Sequence, residues 1–254
     1  MKLSHKPKEL NLKVKNIKKI KSDVFLISFK SSYLAKQSHP GQFLHIKVAK
    51  AILRRPFSIH HVSGDVIYVL FRIRGRGTRT LSEYKTGDKL NVIGPLGKGF
   101  CLCNASCTKN ILVAGGLGVA PLVFLATKLK KCKPIVFLGA KDRQDLLCEE
   151  DFKKLGCKVK VATEDGSKGM KGTVIDLLKK ESLKSASIYT CGPEEMFVQI
   201  HKILKKKSNV NCQVSFEQFM GCGLGVCCAC TIQTKHGYKK VCKDGPVFNI
   251  KDIW

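Results

Sequence analysis

Cys222, Cys227, Cys230 and Cys242 stand in the stretch GCGLGVCCACTIQTKHGYKKVC near the end of the chain. A gap of four residues, then two, then a longer excursion lets one tight loop wrap three thiolates around a [2Fe–2S] cluster while a returning segment supplies the fourth. The chemistry implied is electron transfer. Gly221, Gly223 and Gly225 fit it, because a loop that points several backbone N–H groups at sulfur needs residues tolerant of unusual φ/ψ. A structural zinc site is the alternative, but such sites usually pair two CxxC knuckles, and only one is tight here. Cys228 adjoins Cys227 and could replace it. Moving the ligand by one residue would leave a single residue in the last gap and turn the thiol to the other side of the loop, so Cys228 is left out of the ligand set.

Two further groups of residues could hold cofactors. In RRPFSI (54–59), Arg55, Pro56, Phe57 and Ser58 offer a cation, a hydroxyl and a fixed backbone, which a buried flavin needs for its phosphates and ring edge. In LFRIRGRGT (70–78), Arg72 precedes a turn with Gly75 and Gly77, and Thr78 opens a helix-like TRTLSEY; backbone N–H groups at such a start can cradle a pyrophosphate, and a plain hairpin turn is the alternative. The pyrophosphate makes FAD the flavin expected, not FMN. In AGGLGVAPL (114–122), Gly115, Gly116 and Gly118 lie between a strand and a helix where a nicotinamide dinucleotide can approach the backbone, with Pro121 suited to the first helical turn. The spacing is not GxGxxG. A later strand ends in CGPEEM (191–196), whose Cys191, Gly192 and Pro193 should converge on the same sheet edge; Cys191 either faces the nicotinamide or fills the core. Asp142 and Arg143 follow the second strand and point opposite ways, toward a ribose hydroxyl and a 2′-phosphate, leaving NAD or NADP open.

The elements that must position these residues fall into two rhythms. From about residue 10 to 100, apolar and β-branched runs such as VFLISF (24–29), FLHIKV (43–48) and VIYVLFRI (66–73) alternate with turns at Pro40–Gly41, Ser63–Asp65, Gly87–Asp88 and Gly94–Gly97. That predicts a small antiparallel barrel. From about residue 109, strands NILVAGG, PIVFLG, KVKVAT and SIYTCG alternate with helices LVFLATKLKK, DLLCEEDFKKL, VIDLLKKESL and EEMFVQIHKILKKK, which predicts a parallel sheet with helices on both faces. A strand-like QVSFEQF leads into the cysteine loop. The fold class expected is therefore α/β plus all-β: an antiparallel FAD-binding β-barrel at 8–102, a parallel-sheet NAD-binding α/β domain at 103–208 and a small C-terminal [2Fe–2S] domain at 209–254.

At 254 residues the chain can bury more than one core. Its formal charge of +27 raises the possibility of nucleic-acid binding, and with zinc in the cysteine loop that would be a zinc-stabilised, nucleic-acid-associated protein. The lysines are instead scattered in pairs, with one triplet at 205–207 and no helix-turn-helix, RRM or finger pattern, so a solvated surface and no nucleic-acid partner are expected. The N-terminus has no apolar h-region and no stretch approaches the roughly 20 apolar residues of a membrane helix, so no membrane partner and a cytoplasmic location are expected. Thirteen cysteines in a chain of this length suit reduced thiols and metal ligation better than a secreted disulfide scaffold. Those outside the ligand set, including Cys101, Cys103, Cys107, Cys132, Cys148, Cys157 and Cys212, are expected mostly as small buried hydrophobes.

RPFS, LFR, GT (77–78), GPLGKGF (94–100), GGLGVAPL, EDGSKGMKG (164–172), CGPEEM, MGCGLGVCCACTI and VCKDGPVF (241–248) together cover nearly the whole chain. The set resembles the electron-transfer subunits of class B dihydroorotate dehydrogenases, within the ferredoxin-reductase superfamily. The resemblance implies flavin contacts at Arg55, Pro56, Phe57, Ser58, Leu70, Phe71, Arg72, Gly77 and Thr78, and cluster ligation at Cys222, Cys227, Cys230 and Cys242. It implies NAD(H) as a diffusible cosubstrate, no catalytic acid or base on this chain, and relay to an FMN-containing catalytic subunit in a heterotetramer, where dihydroorotate becomes orotate in pyrimidine biosynthesis. Cys228 and the lysine excess depart from the family pattern, and neither falls on a motif position. The rival within the superfamily is the flavin/iron–sulfur subunit of an NADPH-ferredoxin, sulfide-type or hydrogenase oxidoreductase.

Overall fold

The structure is a computed structural model and describes residues 6–49, 51–102, 109–205, 207 and 209–254. They fall into two compact units. Unit 1 runs to Gly99 and adds Gln218–Ile232 and Lys239–Pro246; unit 2 comprises Phe100–Glu217, Gln233–Tyr238 and Val247–Trp254.

Unit 1 is built on seven antiparallel strands: β1 (Lys8–Lys19), β2 (Val24–Lys30), β3 (Phe43–Lys47), β4 (Arg55–Ser58), β5 (His61–Ser63), β6 (Val66–Arg72) and β7 (Lys89–Leu96), in the order β4-β3-β7-β1-β2-β6-β5. The three strands read from the sequence are β2, β3 and β6. The polar, lysine-rich β1 carries little apolar signal because only Val14 along it is fully buried. Between β4 and β5 the chain passes from one end of the sheet to the other: Ile59 N–H donates to Gln42 O and His60 N–H to Tyr68 O. The expected barrel is thus a curled half-barrel sheet that turns its corner through two residues. Its core holds Ile27, Phe29, Leu44, Ile46, Ile67 and Phe71. Helix α1 (Ser32–Gln37) starts at Ser31, whose hydroxyl accepts from Leu34 N–H, and α2 (Arg76–Ser82) opens two residues earlier than TRTLSEY suggested.

Unit 2 carries parallel strands β8 (Lys109–Gly115), β9 (Ile135–Ala140), β10 (Lys158–Thr163), β11 (Met170–Lys171), β12 (Ala186–Cys191) and β13 (Asn211–Ser215). Between them run α3 (Ala120–Leu129), α4 (Glu149–Lys154), α5 (Val174–Lys179) and α6 (Glu194–Leu204). Helix α3 packs on β8, β12 and α4, while α5 packs on β9, β10 and α6, so both sheet faces are covered as the alternation predicts. DLLCEEDFKKL is helical only from Glu149, because Cys148 adopts a left-handed conformation that breaks the pattern. Helix α5 is fixed at its start by a capping box, Asp176 accepting from the Thr173 N–H and hydroxyl.

The C-terminal segment does not form a compact unit of its own. After the cysteine loop, a hairpin of β14 (Thr231–Thr234) and β15 (Gly237–Lys240) leads to α7 (Val241–Asp244), then to β16 (Val247–Asn249) and α8 (Ile250–Ile253). Strand β16 pairs antiparallel with β13, giving the second sheet the order β11-β10-β9-β8-β12-β13-β16. The expected boundary at 208/209 therefore falls inside unit 2, and the cysteine loop belongs with unit 1. Apolar burial at both ends of the 209–254 segment draws it into that sheet. Two of the motifs meet in unit 1, Lys98 N–H of GPLGKGF donating to Gly245 O of VCKDGPVF.

Candidate electron-transfer sites

All four expected ligands lie in unit 1. Their thiols come as two pairs. Cys222 and Cys227 are within hydrogen-bonding reach of each other, as are Cys230 and Cys242, and Cys242 also feels the charge of Cys222. Backbone N–H groups converge on the sulfurs: Leu224 N at 3.3 Å, Val226 N at 3.4 Å and Cys227 N at 3.5 Å from Cys222 Sγ, and Cys242 N at 3.4 Å from Cys230 Sγ. This is the polarity a negatively charged sulfur cluster requires. Burial works against ionising Cys222, but the N–H groups of Cys227, Leu224 and Val226 outweigh it and bring the thiol down to about 6. Burial and the neighbouring Cys230 push Cys242 up to about 12.

Among the described residues no three His, Cys, Asp or Glu side chains are disposed to hold one metal ion. Two pairs are what two irons need, each taking two thiolates, whereas a structural zinc draws four around a single point. The residues present fit a [2Fe–2S] cluster. Cys228 is exposed and left-handed, its Sγ directed at Val226 O at 3.7 Å.

The loop is tied down by residues the sequence reading missed. His45, on β3, places Nδ1 3.2 Å from Cys222 O, and Gly223, at φ +70°, lies so close that an added Cβ would be 2.6 Å from that nitrogen. Lys240 Nζ donates to Gly225 O at 2.8 Å. A single histidine in FLHIK reads as an ordinary strand residue, so only the glycine gave a signal of close approach.

In the half-barrel, Arg55, Pro56, Phe57 and Ser58 form β4, an edge strand where a proline's missing N–H costs nothing. Arg55 bends over the start of α2, so that a Cβ at Gly77 would sit 3.2 Å from its Nε. A cation and the N–H groups of a helix's first turn, which have no partner within the helix, thus come together from positions 22 residues apart in sequence (77 − 55), as an anionic pyrophosphate requires. The Thr78 hydroxyl closes the turn, accepting from Arg74 N at 2.8 Å and Gly75 N at 3.2 Å. Phe57, Leu70 and Phe71 are buried; Phe71 stacks on Phe25 at 5.8 Å and meets Phe57 edge-on at 5.6 Å, so these side chains serve the core. Arg72 pairs with Asp23 at 3.3 Å.

In unit 2 the strand order reverses between β8 and β12, and open α/β sheets bind ligands at the carboxyl edge of such a switch point. Gly115, Gly116 and Gly118 follow β8 there, and Cys191, Gly192 and Pro193 end β12 beside them, Cys191 opposite Ala114. A Cβ at Gly118 would stand 2.1 Å from Cys191 O, and one at Gly115 2.9 Å from Pro193 Cδ. Those two glycines let the loops touch each other. Gly116 alone faces open space. The Cys191 thiol is buried, raised well above its ordinary range by that burial and by Glu217, and hydrogen-bonded to Ser215.

Of the other cysteines, Cys157 and Cys212 are buried, Cys148 is half-buried, and Cys101 and Cys132 are exposed, so burial accounts for fewer of them than expected. Cys103 and Cys107 lie outside the described residues, as does the middle lysine of the 205–207 triplet. Among the described residues no helix is long and apolar enough to cross a membrane.

A half-barrel followed by a parallel sheet and a four-cysteine loop defines a ferredoxin-reductase-type electron-transfer protein. Residues 217–254 match the family model for the iron–sulfur cluster binding domain of dihydroorotate dehydrogenase B, and residues 112–202 match the oxidoreductase NAD-binding domain. The dihydroorotate dehydrogenase B (NAD(+)) electron transfer subunit of Desulforamulus reducens is 40% identical over 254 residues, covering 95% of this chain and 96% of that one. Its counterpart in Bacillus cereus strain B4264 is 39% identical over 256 residues, covering 96% and 97%. Among solved structures, a chain of an NADH-dependent reduced ferredoxin–NADP oxidoreductase matches with a TM-score of 0.83 at 29% identity, covering 96% of this chain and 89% of that one. A ferredoxin NADP+ reductase from Neisseria gonorrhoeae, with bound FAD and NADP, shares the fold at a TM-score of 0.69 and 14% identity, covering 82% and 99%. The chain belongs to the family of dihydroorotate dehydrogenase B electron transfer subunits.

Proposed function

We propose that this chain takes electrons to or from NAD(H) in unit 2, holds FAD in the half-barrel and a [2Fe–2S] cluster in the cysteine loop, and docks through that loop on an FMN-containing dihydroorotate dehydrogenase catalytic subunit in a heterotetramer. When bound, these groups supply hydride exchange at the flavin and one-electron transfer at iron. Arg55 and the first turn of α2 hold the flavin's pyrophosphate, with Arg72 and the β4 backbone at its side. Gly116 leaves room for the nicotinamide nucleotide beside Gly115, Gly118 and the Cys191–Pro193 turn. Cys222 with Cys227, and Cys230 with Cys242, each hold one iron. No side chain here acts as acid or base. The location proposed is the cytoplasm, where the seven described cysteines outside the ligand set would stay reduced.

The observation that carries the docking is the exposure of apolar side chains on the cysteine loop and its approach: Phe219 is 92% exposed, Val226 79% and Leu224 48%. Such a patch around a redox centre suits a protein partner. The isolated chain is expected to reduce artificial dyes with NADH but to oxidise no dihydroorotate until the FMN-bearing partner is added. Leu224→Glu should suppress coupling to the partner at least tenfold while sparing dye reduction. Dihydroorotate oxidation by the lone chain, or full coupling in Leu224→Glu with an intact cluster, overturns the proposal.

A further inference from the structure

We propose that His45 is a positioning residue for the cluster, placing the first ligand, Cys222, through its backbone carbonyl. The inference rests on reading the cysteine loop as a cluster site. Loop-internal hydrogen bonds run largely to the Cys222 and Cys227 sulfurs, which fix sulfur relative to loop but not loop relative to barrel. The His45 ring makes that second connection. It is fully buried on β3, its Nδ1 lies 3.2 Å from Cys222 O, and a carbonyl oxygen only accepts, so Nδ1 carries the proton and donates. Gly223 lies flat on the ring, an imagined Cβ there falling 2.6 Å from Nδ1 and 3.1 Å from Cγ.

Two more observations support this assignment. With Nδ1 donating, Nε2 is left buried without a hydrogen-bond partner. A leucine would fill the space without that cost, so the imidazole is explained by what Nδ1 does. Strand β3 also pairs with β4, His45 standing opposite Pro56 of RPFS. The same strand pair therefore carries the flavin-contact strand and the anchor of the cluster loop, and it sets both on one rigid element. An N–H donated to a ligand's own peptide also polarises the surroundings of the sulfur, one of the means by which a protein sets cluster potential.

The test compares His45→Asn, His45→Gln and His45→Leu in the full chain with cofactors loaded. Asparagine carries an amide N–H where Nδ1 lies, glutamine carries it one bond farther out, and leucine has none. The midpoint potential, the EPR line shape of the reduced cluster and the rate of iron loss to a chelator are read, with flavin content confirming a folded half-barrel. Asn is expected to match the wild type on all three. Gln and Leu are expected to shift the potential negative, broaden the spectrum and lose iron at least fivefold faster. Wild-type behaviour in both Gln and Leu, or an Asn variant that behaves like Leu, overturns the proposal. If Leu does not fold, Asn against Gln decides it. A wild type that carries no [2Fe–2S] cluster overturns the underlying reading and the proposal with it.

Discussion

At residues 115–118 and at residues 221–225 the chain spends its glycines on different things. Gly118 exists for its neighbour, since the Cys191 carbonyl occupies the volume a side chain would need. Gly223 serves the loop's own chemistry: its left-handed turn lets Leu224 and Val226 aim their N–H groups at Cys222 Sγ while the loop lies against His45. A glycine-rich motif therefore announces a close approach without naming what approaches. In the first loop Gly118 meets backbone and Gly115 the Pro193 ring, and only Gly116 is open to a ligand; in the second Gly221 meets the Cys227 sulfur and Gly223 a buried imidazole.

The contrast can be broken most forcefully at Gly118. Gly118→Ala should destabilise unit 2 by about 3 kcal/mol or more, as overpacking against backbone does when nothing can yield. The loss should be the same with and without saturating NADH, measured by urea denaturation. A loss seen only in nucleotide affinity would mean that the glycine faces the ligand after all.

Acid should separate the two units next. Among the described residues, the carboxylates seen to be held below their ordinary range lie in unit 2. Glu181 is lowered by hydrogen bonds from Lys109 and Lys160, and Asp176 and Asp165 chiefly by the backbone N–H groups of Thr173 and Ser167. Burial opposes ionisation of Glu149, but Lys153 and Lys168 prevail. A depressed carboxylate stabilises the fold above its unfolded value, about 4, and loses that contribution as pH falls through its folded one. Unit 2, reported by the single tryptophan Trp254 against Phe216 and His201, should therefore weaken as pH falls below about 4, the ordinary carboxylate range, before flavin leaves unit 1. Flavin release ahead of the tryptophan change would contradict this. Glu181→Gln should shrink the acid effect.

The smallest effect is expected at Cys228, which is exposed with its Sγ on Val226 O. Cys228→Ser should leave iron content and the EPR spectrum within error of wild type; loss of the cluster would put Cys228 in the ligand set.

Much of this was legible beforehand because it rests on short-range chemistry. The spacing of Cys222, Cys227 and Cys230, the alternation of strands and helices after residue 109, and the apolar runs of β2, β3 and β6 are local patterns, and the structure keeps them. What was hidden depends on contacts between distant segments. Nothing near Gln213 or Val247 indicates that β13 and β16 join the parallel sheet, because a strand's partner is chosen by burial across the fold. Strand β1 was muted because sheet pairing, not apolar burial, holds it. His45 was invisible because its role comes from a carbonyl 177 residues away.

Electrons from NADH should reach iron held by two thiol pairs. Adding NADH to the anaerobic, iron-replete chain and recording EPR at low temperature shows whether they do, beside a Cys227→Ser variant that keeps its flavin. Bleaching of the flavin and a rhombic signal of a reduced [2Fe–2S] cluster are expected in the wild type, and bleaching without that signal in the variant. Stoichiometric zinc with no signal in the wild type, or an unchanged signal in Cys227→Ser, would contradict that expectation.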